Sequence, residues 1–157
     1  MYWCIYIDSF VLQSMEKFRY LPHTADMQFI AYGKDFREAL ENSALALLST
    51  ILDVKKIKKS NARVFHSAIN ESAGDMEDLV WYTLQDILSA VESRHIDAFS
   101  FKIISLRSEG KMKLSGKLSY RKTGKNHALF SVKAVTPYDL KVVSGNGTCS
   151  IQVVMDV

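Results

Sequence analysis

Apolar residues recur along this chain at two different spacings, and the change from one to the other divides it. Phe36, Ala39, Leu40, Ala44, Leu47, Leu48 and Ile51 fall on one stripe at helical period. Met76, Leu79, Val80, Leu84, Ile87, Leu88 and Val91 make a second such stripe. From Phe99 onward the period is two. Phe99, Phe101 and Ile103 alternate with polar residues, and Ser108-Glu109-Gly110 reads as a turn. Met112, Leu114, Gly116, Leu118 and Tyr120 then alternate with Lys111, Lys113, Ser115, Lys117 and Ser119, the pattern of an antiparallel strand buried on one face. Arg121 to His127 is a polar loop. The stretches 138–143 and 149–155 flank Ser144-Gly145-Asn146-Gly147, a strong hairpin signal.

Upstream, Lys17 to Leu21 and Met27 to Gly33 read as short strands separated by LPHTAD, and Ala62 to Ile69 as a further strand. Asp35 is placed to cap the first helix, with Glu38 three residues on. Asp75 stands at the start of the second. The lysines Lys55, Lys56, Lys58 and Lys59 follow the first helix and complement the negative end of its dipole. Each helix has one apolar face that needs a sheet or the other helix to cover it. The order of elements, without repeat, linker or low-complexity stretch, predicts one α+β domain: mixed or antiparallel sheets with two amphipathic helices.

Composition adds bounds. The 157 residues suit one domain, 48% are hydrophobic and 24% charged, and only 7 are Gly and 2 Pro. A net charge of +3 does not by itself indicate nucleic-acid binding. Cys4 and Cys149 have no paired spacing, which argues against a disulfide framework or a thiolate zinc site and suits a reducing cytosol. No apolar run approaches the roughly 18 residues that span a bilayer. The first residues, MYWCIYIDSFVLQS, lack the basic leader and cleavage site of a signal peptide. Residues 1–14 read as an extension or leader ahead of Met15, or as an extra strand, and the domain as 15–157.

Candidate chemistry is sparse. The chain has no phosphate-cradling glycine loop and no nucleophile elbow. His66, His95 and His127 have no helical partner of ligand type. Asp26 lies in the loop His23-Thr24-Ala25-Asp26, where a turn-forming aspartate is the ordinary explanation. Asp156 closes the last strand. Cys149, Ile151, Val153 and Met155 share one face there, so Asp156 falls on the other face with Ser150 and Gln152, free to leave the core and reach a sheet edge. Asp26, Asp156 and the carboxylate of Val157 together would gather three negative groups needing a cation or protons. Oxygen ligands of this kind suit calcium, magnesium or manganese better than zinc. Lys133 in SVKAVT reads either as an edge lysine or as a charge held near an anionic partner group. The lysines of 111–117 and 55–59 form basic surfaces, either solvated or docking RNA or an acidic protein.

Several segments in order resemble one family. FRYLPHTADMQFIAYG is similar to the N-terminal signature of the archeases, DFREALENSALALL to the helix after it, FSVKAVTPYDL to their internal KAVT-type motif and IQVVMDV to their last strand. The resemblance covers Met15 to Val157. It implies a small cytoplasmic accessory protein, not itself an enzyme, that activates an RtcB-type RNA ligase in tRNA splicing. It implies promotion of guanylylation of the ligase histidine and support for multiple turnover. tRNA would be met indirectly, through the ligase. It further implies a divalent metal held by Asp26 and Asp156 with an oxygen of Val157, a functional Lys133, and His23 as the motif histidine. Pro22 and Pro137 depart from residues common at those positions and put loop shape and partner contacts in question. Two other classes remain open: a chaperone-like or RNA-binding module with no metal role, and a stand-alone metal-dependent hydrolase, for which no general base is apparent.

Overall fold

The computed structural model describes residues 16–22 and 25–157; the extension read over residues 1–14 lies outside the described residues. The elements run β1 (Phe18–Leu21), β2 (Met27–Gly33), α1 (Phe36–Ile51), α2 (Val54–Lys59), β3 (Val64–Ala73), α3 (Met76–Arg94), β4 (Asp97–Glu109), β5 (Lys111–Arg121), β6 (Ala134–Gly145) and β7 (Thr148–Asp156). They build a four-stranded sheet of order β1-β2-β7-β6 and a three-stranded sheet of order β3-β5-β4. All strand pairs are antiparallel. The α+β reading therefore holds, with the sheets purely antiparallel.

The helices join the two sheets. α1 packs on β2 and β7 and also on β4 of the other sheet, while α3 packs on β3 and β5 and also on β6. The stripe read from the sequence is the buried face of α1: Phe36, Ala39, Leu40, Ala44, Leu47, Leu48 and Ile51. In α3 the buried set is Leu79, Val80, Thr83, Leu84, Ile87, Leu88 and Val91, while Met76 at the first turn is exposed. Fully burying each large aliphatic side chain contributes about 1.5–3 kcal/mol, so these two faces dominate the core. Cys149 is buried within it, and burial pushes its thiol pKa up, as suits a packing residue.

Helix starts follow the expected chemistry. Asp35 Oδ1 accepts a hydrogen bond from the Glu38 amide at 2.9 Å, and Asp75 Oδ1 from the Asp78 amide at 2.8 Å. Glu38 reaches back one residue further than a capping box, accepting from the Lys34 amide at 2.7 Å. Gly33 makes the tight passage from β2 into α1, since a Cβ there would run into the backbone of Glu38 and Ala39.

Three expectations are corrected. The lysines after α1 are not its tail. Leu52 ends α1 in an extended conformation, Asp53 caps a separate helix, α2, and Val54 and Ile57 turn inward. The third strand is longer and later than the 62–69 reading, because its inward positions include Ser67 and Glu71 as well as Phe65, Ile69 and Ala73, which hides the alternation. The period-two pattern of β4 breaks at two irregularities, between Ala98 and Ser100 and between Ile103 and Ser105, leaving Ile104 64% exposed.

Glu71 stands opposite Leu114 of β5, with the Asp86 carboxyl of α3 beside its own. Burial, first, and the neighbouring Asp86 carboxyl raise its pKa from the ordinary 4.5 to about 7. The folded state thus binds more protons than the unfolded state between those values, and stability falls as pH rises across that window. Glu71→Gln should remove this slope. Thermal melts at pH 5 and pH 8 should differ less in the variant than in the parent protein, and an unchanged difference would show that Glu71 titrates normally.

Candidate metal centre at the shared end of three strands

The ladders decide which residues meet. β2 pairs with β7 from Gly33 opposite Cys149 to Met27 opposite Met155. One residue beyond that last pair, Asp26 in the bend before β2 and Asp156 at the end of β7 leave the ladder at the same end of the sheet. On the other side of β7, Ala134 is the partner of Asp156. Lys133 therefore arrives at the same end, and its amide donates a 2.7 Å hydrogen bond to the Asp156 carbonyl oxygen. The first loop, the last strand and the KAVT segment converge at one end of the four-stranded sheet.

This end is not a sheet edge, as the sequence had suggested. β2 and β7 are the inner strands of their sheet, and the edges are β1 and β6. Asp156 is exposed and shares its face with Ser150 and Gln152, as the alternation required, though Val154 on that face is 1% exposed. Asp26 is half-buried, Lys133 is exposed, and Val157 is 38% exposed. His23 lies outside the described residues. His66 bonds Ser119 at 3.0 Å, His127 bonds Thr123 at 2.9 Å, and His95 ends α3 in the left-handed conformation. None of these three approaches the carboxylates as a ligand in the ladder.

Among the described residues no group of three or more His, Cys, Asp or Glu side chains comes together. A cation at Asp26 and Asp156 would thus have two side-chain carboxylates and would complete its shell from carbonyl, hydroxyl and water oxygens. That donor set fits a hard divalent cation, which tolerates waters and carbonyls, and does not fit zinc. The same face leaves the Thr136 hydroxyl buried with no hydrogen-bond partner, opposite Val154 and one rung inward from Asp156. A buried hydroxyl normally finds a partner, and bound water at this end would supply one.

Sequence reading missed the residues that hold this end in place. Trp81 Nε1 of α3 donates to the Val135 carbonyl at 2.9 Å, and the Val135 amide donates to Gln85 Oε1 at 3.0 Å. Both backbone groups of Val135 are thereby clamped by the helix, two residues from Lys133. Trp81 and Gln85 stand on the polar side of the apolar stripe, at i and i+4, and that spacing is the signal available in the sequence. Past Thr136 the ladder breaks until Lys141, and Gln152 Nε2 donates to the Asp139 carbonyl at 2.9 Å, fastening the bulge over β7. An open concavity of about 850 Å³, lined by Lys17, Tyr32, Lys34, Asn42 and Asn146 among others, lies at the far end of the same sheet and holds none of the candidate residues.

Residues 18–157 match the model of the archease protein family (MTH1598/TM1083). Protein archease of Methanosarcina barkeri is 32% identical over 145 residues, covering 90% of this chain and 97% of that protein. The archease-like protein of Dictyostelium discoideum is 26% identical over 152 residues, covering 96% of this chain and all of its own, 100%. The solution structure of Methanobacterium thermoautotrophicum protein 1598 superposes with a TM-score of 0.78 at 25% identity, over 91% of this chain and 100% of the other. The crystal structure of a Thermotoga maritima archease, described as a possible chaperone, gives 0.51 at 20% identity over 87% of this chain and 94% of its own, which is a likeness of fold.

Trp81→Phe keeps an aromatic ring at this position while deleting the donor to Val135, with some loss of indole bulk. It should lower stability by about 1 kcal/mol, a fall of roughly 2–4 °C in Tm for a chain of this size. An unchanged melt would mean that Trp81 does not clamp the strand.

Proposed function

The chain belongs to the archease family, and from that premise we propose that it is an accessory protein that activates an RtcB-type RNA ligase in tRNA splicing. The supporting observation is the register that sets Asp26, Asp156 and Lys133 at one end of one sheet.

In this reading Asp26 and Asp156, with a backbone or terminal oxygen of Val157, hold a divalent cation: calcium, magnesium or manganese. When bound, the cation offsets the repulsion between the carboxylates and presents positive charge at an exposed tip. Lys133 adds a second positive group at the same tip. A charged, rigid tip of this kind is suited to docking at a ligase active site. There it would align nucleotide phosphates with the nucleophilic histidine, since positioning and charge compensation dominate such transfers. The pins from Trp81 and Gln85 keep the tip rigid. His23 adjoins it in sequence. The protein would work in the cytoplasm beside its ligase and would itself transfer no nucleotide; no described helix is long and apolar enough to cross a membrane.

Binding to the folded state alone raises stability by RT ln(1 + [L]/Kd), about 2.7 kcal/mol at a hundredfold excess over Kd. Calcium or manganese should therefore raise the melting temperature of the parent protein and leave that of an Asp26→Asn, Asp156→Asn double variant unmoved. In a guanylylation assay with the cognate RtcB-type ligase, Asp26→Ala or Asp156→Ala should reduce stimulation at least tenfold while the fold persists. Full stimulation by both variants would sink the metal-based reading and favour a chaperone-like or RNA-binding role without a metal, which the basic sheet face motivates.

A further inference from the structure

The outer face of the three-stranded sheet carries an arrangement that the carboxylate tip does not use. The inward side chains of β5 are Met112, Leu114, Gly116, Leu118 and Tyr120, so Lys111, Lys113, Ser115, Lys117 and Ser119 face outward. The register then sets like charges directly across from one another. Lys117 is opposite Lys102, and Lys113 is opposite Arg107. On the other side, β3 contributes Ala68 opposite Lys117 and Ser72 opposite Lys113, with no carboxylate. Like charges directly opposite on a strand pair are destabilising, and here two rungs repeat the arrangement.

Compensation on this face is thin. Among the described residues the only ion pair to these cations is Lys102 with Glu41 at 3.4 Å, and Glu41 also accepts from the Ile103 amide. The rung between the two cationic rungs carries the neutral donors Ser105, Ser115 and Asn70, and the rung beyond Lys117 carries Ser100, His66 and the buried Ser119, whose hydroxyl bonds His66 at 3.0 Å. Rungs two residues apart stand about 7 Å apart along a strand, so the cationic rungs repeat roughly every 14 Å. That spacing is commensurate with every second phosphate of an extended polynucleotide strand, with hydroxyl and amide groups facing the sugars between.

We propose that this outer face of β3, β5 and β4 binds the phosphate backbone of RNA, with Lys102, Arg107, Lys113 and Lys117 as its phosphate contacts. An acidic protein fits less well. Protein interfaces concentrate their energy in buried aromatic and apolar anchors, and this face offers only Ile104 and Val64 as large exposed apolar groups. The face lies on the other sheet from the carboxylate tip and stands independently of the metal-based reading.

Fluorescence anisotropy with a labelled single-stranded RNA of twelve nucleotides tests this on the full chain. Four phosphate contacts on a single strand give a log Kd against log salt slope of magnitude about 3, at roughly 0.7 per contact. Lys113→Gln with Lys117→Gln should weaken binding tenfold or more at low salt and reduce that slope by about 1.4. Its melting temperature should stay level or rise, because repulsion is relieved. Lys113→Arg with Lys117→Arg should bind as the parent does. Lys56→Gln with Lys58→Gln, on α2, should also bind as the parent does. A polyglutamate peptide of twelve residues should bind at least tenfold more weakly than the RNA. Absence of RNA binding at low salt would overturn the proposal. Equal loss from the α2 pair, failure of the arginine variant, or polyglutamate binding as tight as RNA would overturn it too.

Discussion

Strand register is the constraint on which everything else in this molecule rests. Phe29 and Ala31 of β2 and Ile151, Val153 and Met155 of β7 are buried on one face of the four-stranded sheet. A slip of one residue would turn all of them outward. With that alternative closed, Met27 must lie opposite Met155, and the residues just beyond them, Asp26 and Asp156, leave the ladder at the same end of the sheet. The burial of apolar groups several residues away thus decides which two acidic residues leave the sheet at this end.

The helices extend this control across the molecule. Each covers one sheet and abuts the rim of the other, so the two sheets cannot shift independently. α3 contributes the clamp on Val135. Tyr20 ties the rim strand β1 to α1 through the Ala46 carbonyl at 3.2 Å and the Thr50 hydroxyl at 3.0 Å. Both rim strands beside the carboxylate tip are thus fastened to helices by side-chain hydrogen bonds, from β1 itself in one case and from α3 in the other. The tip is formed by strand ends and is backed by side-chain hydrogen bonds, an arrangement that favours fixed geometry over adaptability.

Much of this was legible in the residues alone. The two apolar stripes gave the helices, Asp35 and Asp75 gave their starts, and Asn146-Gly147, both at positive φ, gave the last hairpin. The alternation along Cys149 to Met155 placed Asp156 on the correct face. What the pattern left undecided is pairing. Nothing in a single sequence says that β7 inserts beside β2, because backbone ladders carry no side-chain signature. The sequence therefore suggested an edge where the structure has two inner strands. β3 was misjudged for a local reason: Ser67 and Glu71 occupy inward positions beneath α3, where polar groups blur a period of two. The lysines after α1 looked like a helix tail because their own cap, Asp53, serves only a short helix.

The order of strands in the larger sheet also has a consequence for how the protein comes to be folded. β1 and β2 are made early and β6 and β7 late, yet β7 lies between β2 and β6. Until the late hairpin arrives, α1 has only a two-stranded flap to cover Leu40, Leu47 and Leu48, and such a flap is marginal in water. Contacts this distant along the chain make for slow assembly. The smaller sheet, whose strands follow one another closely in sequence, is the part able to form first, and the larger sheet, with Asp26 and Asp156 at its end, is completed only once β7 has followed β6.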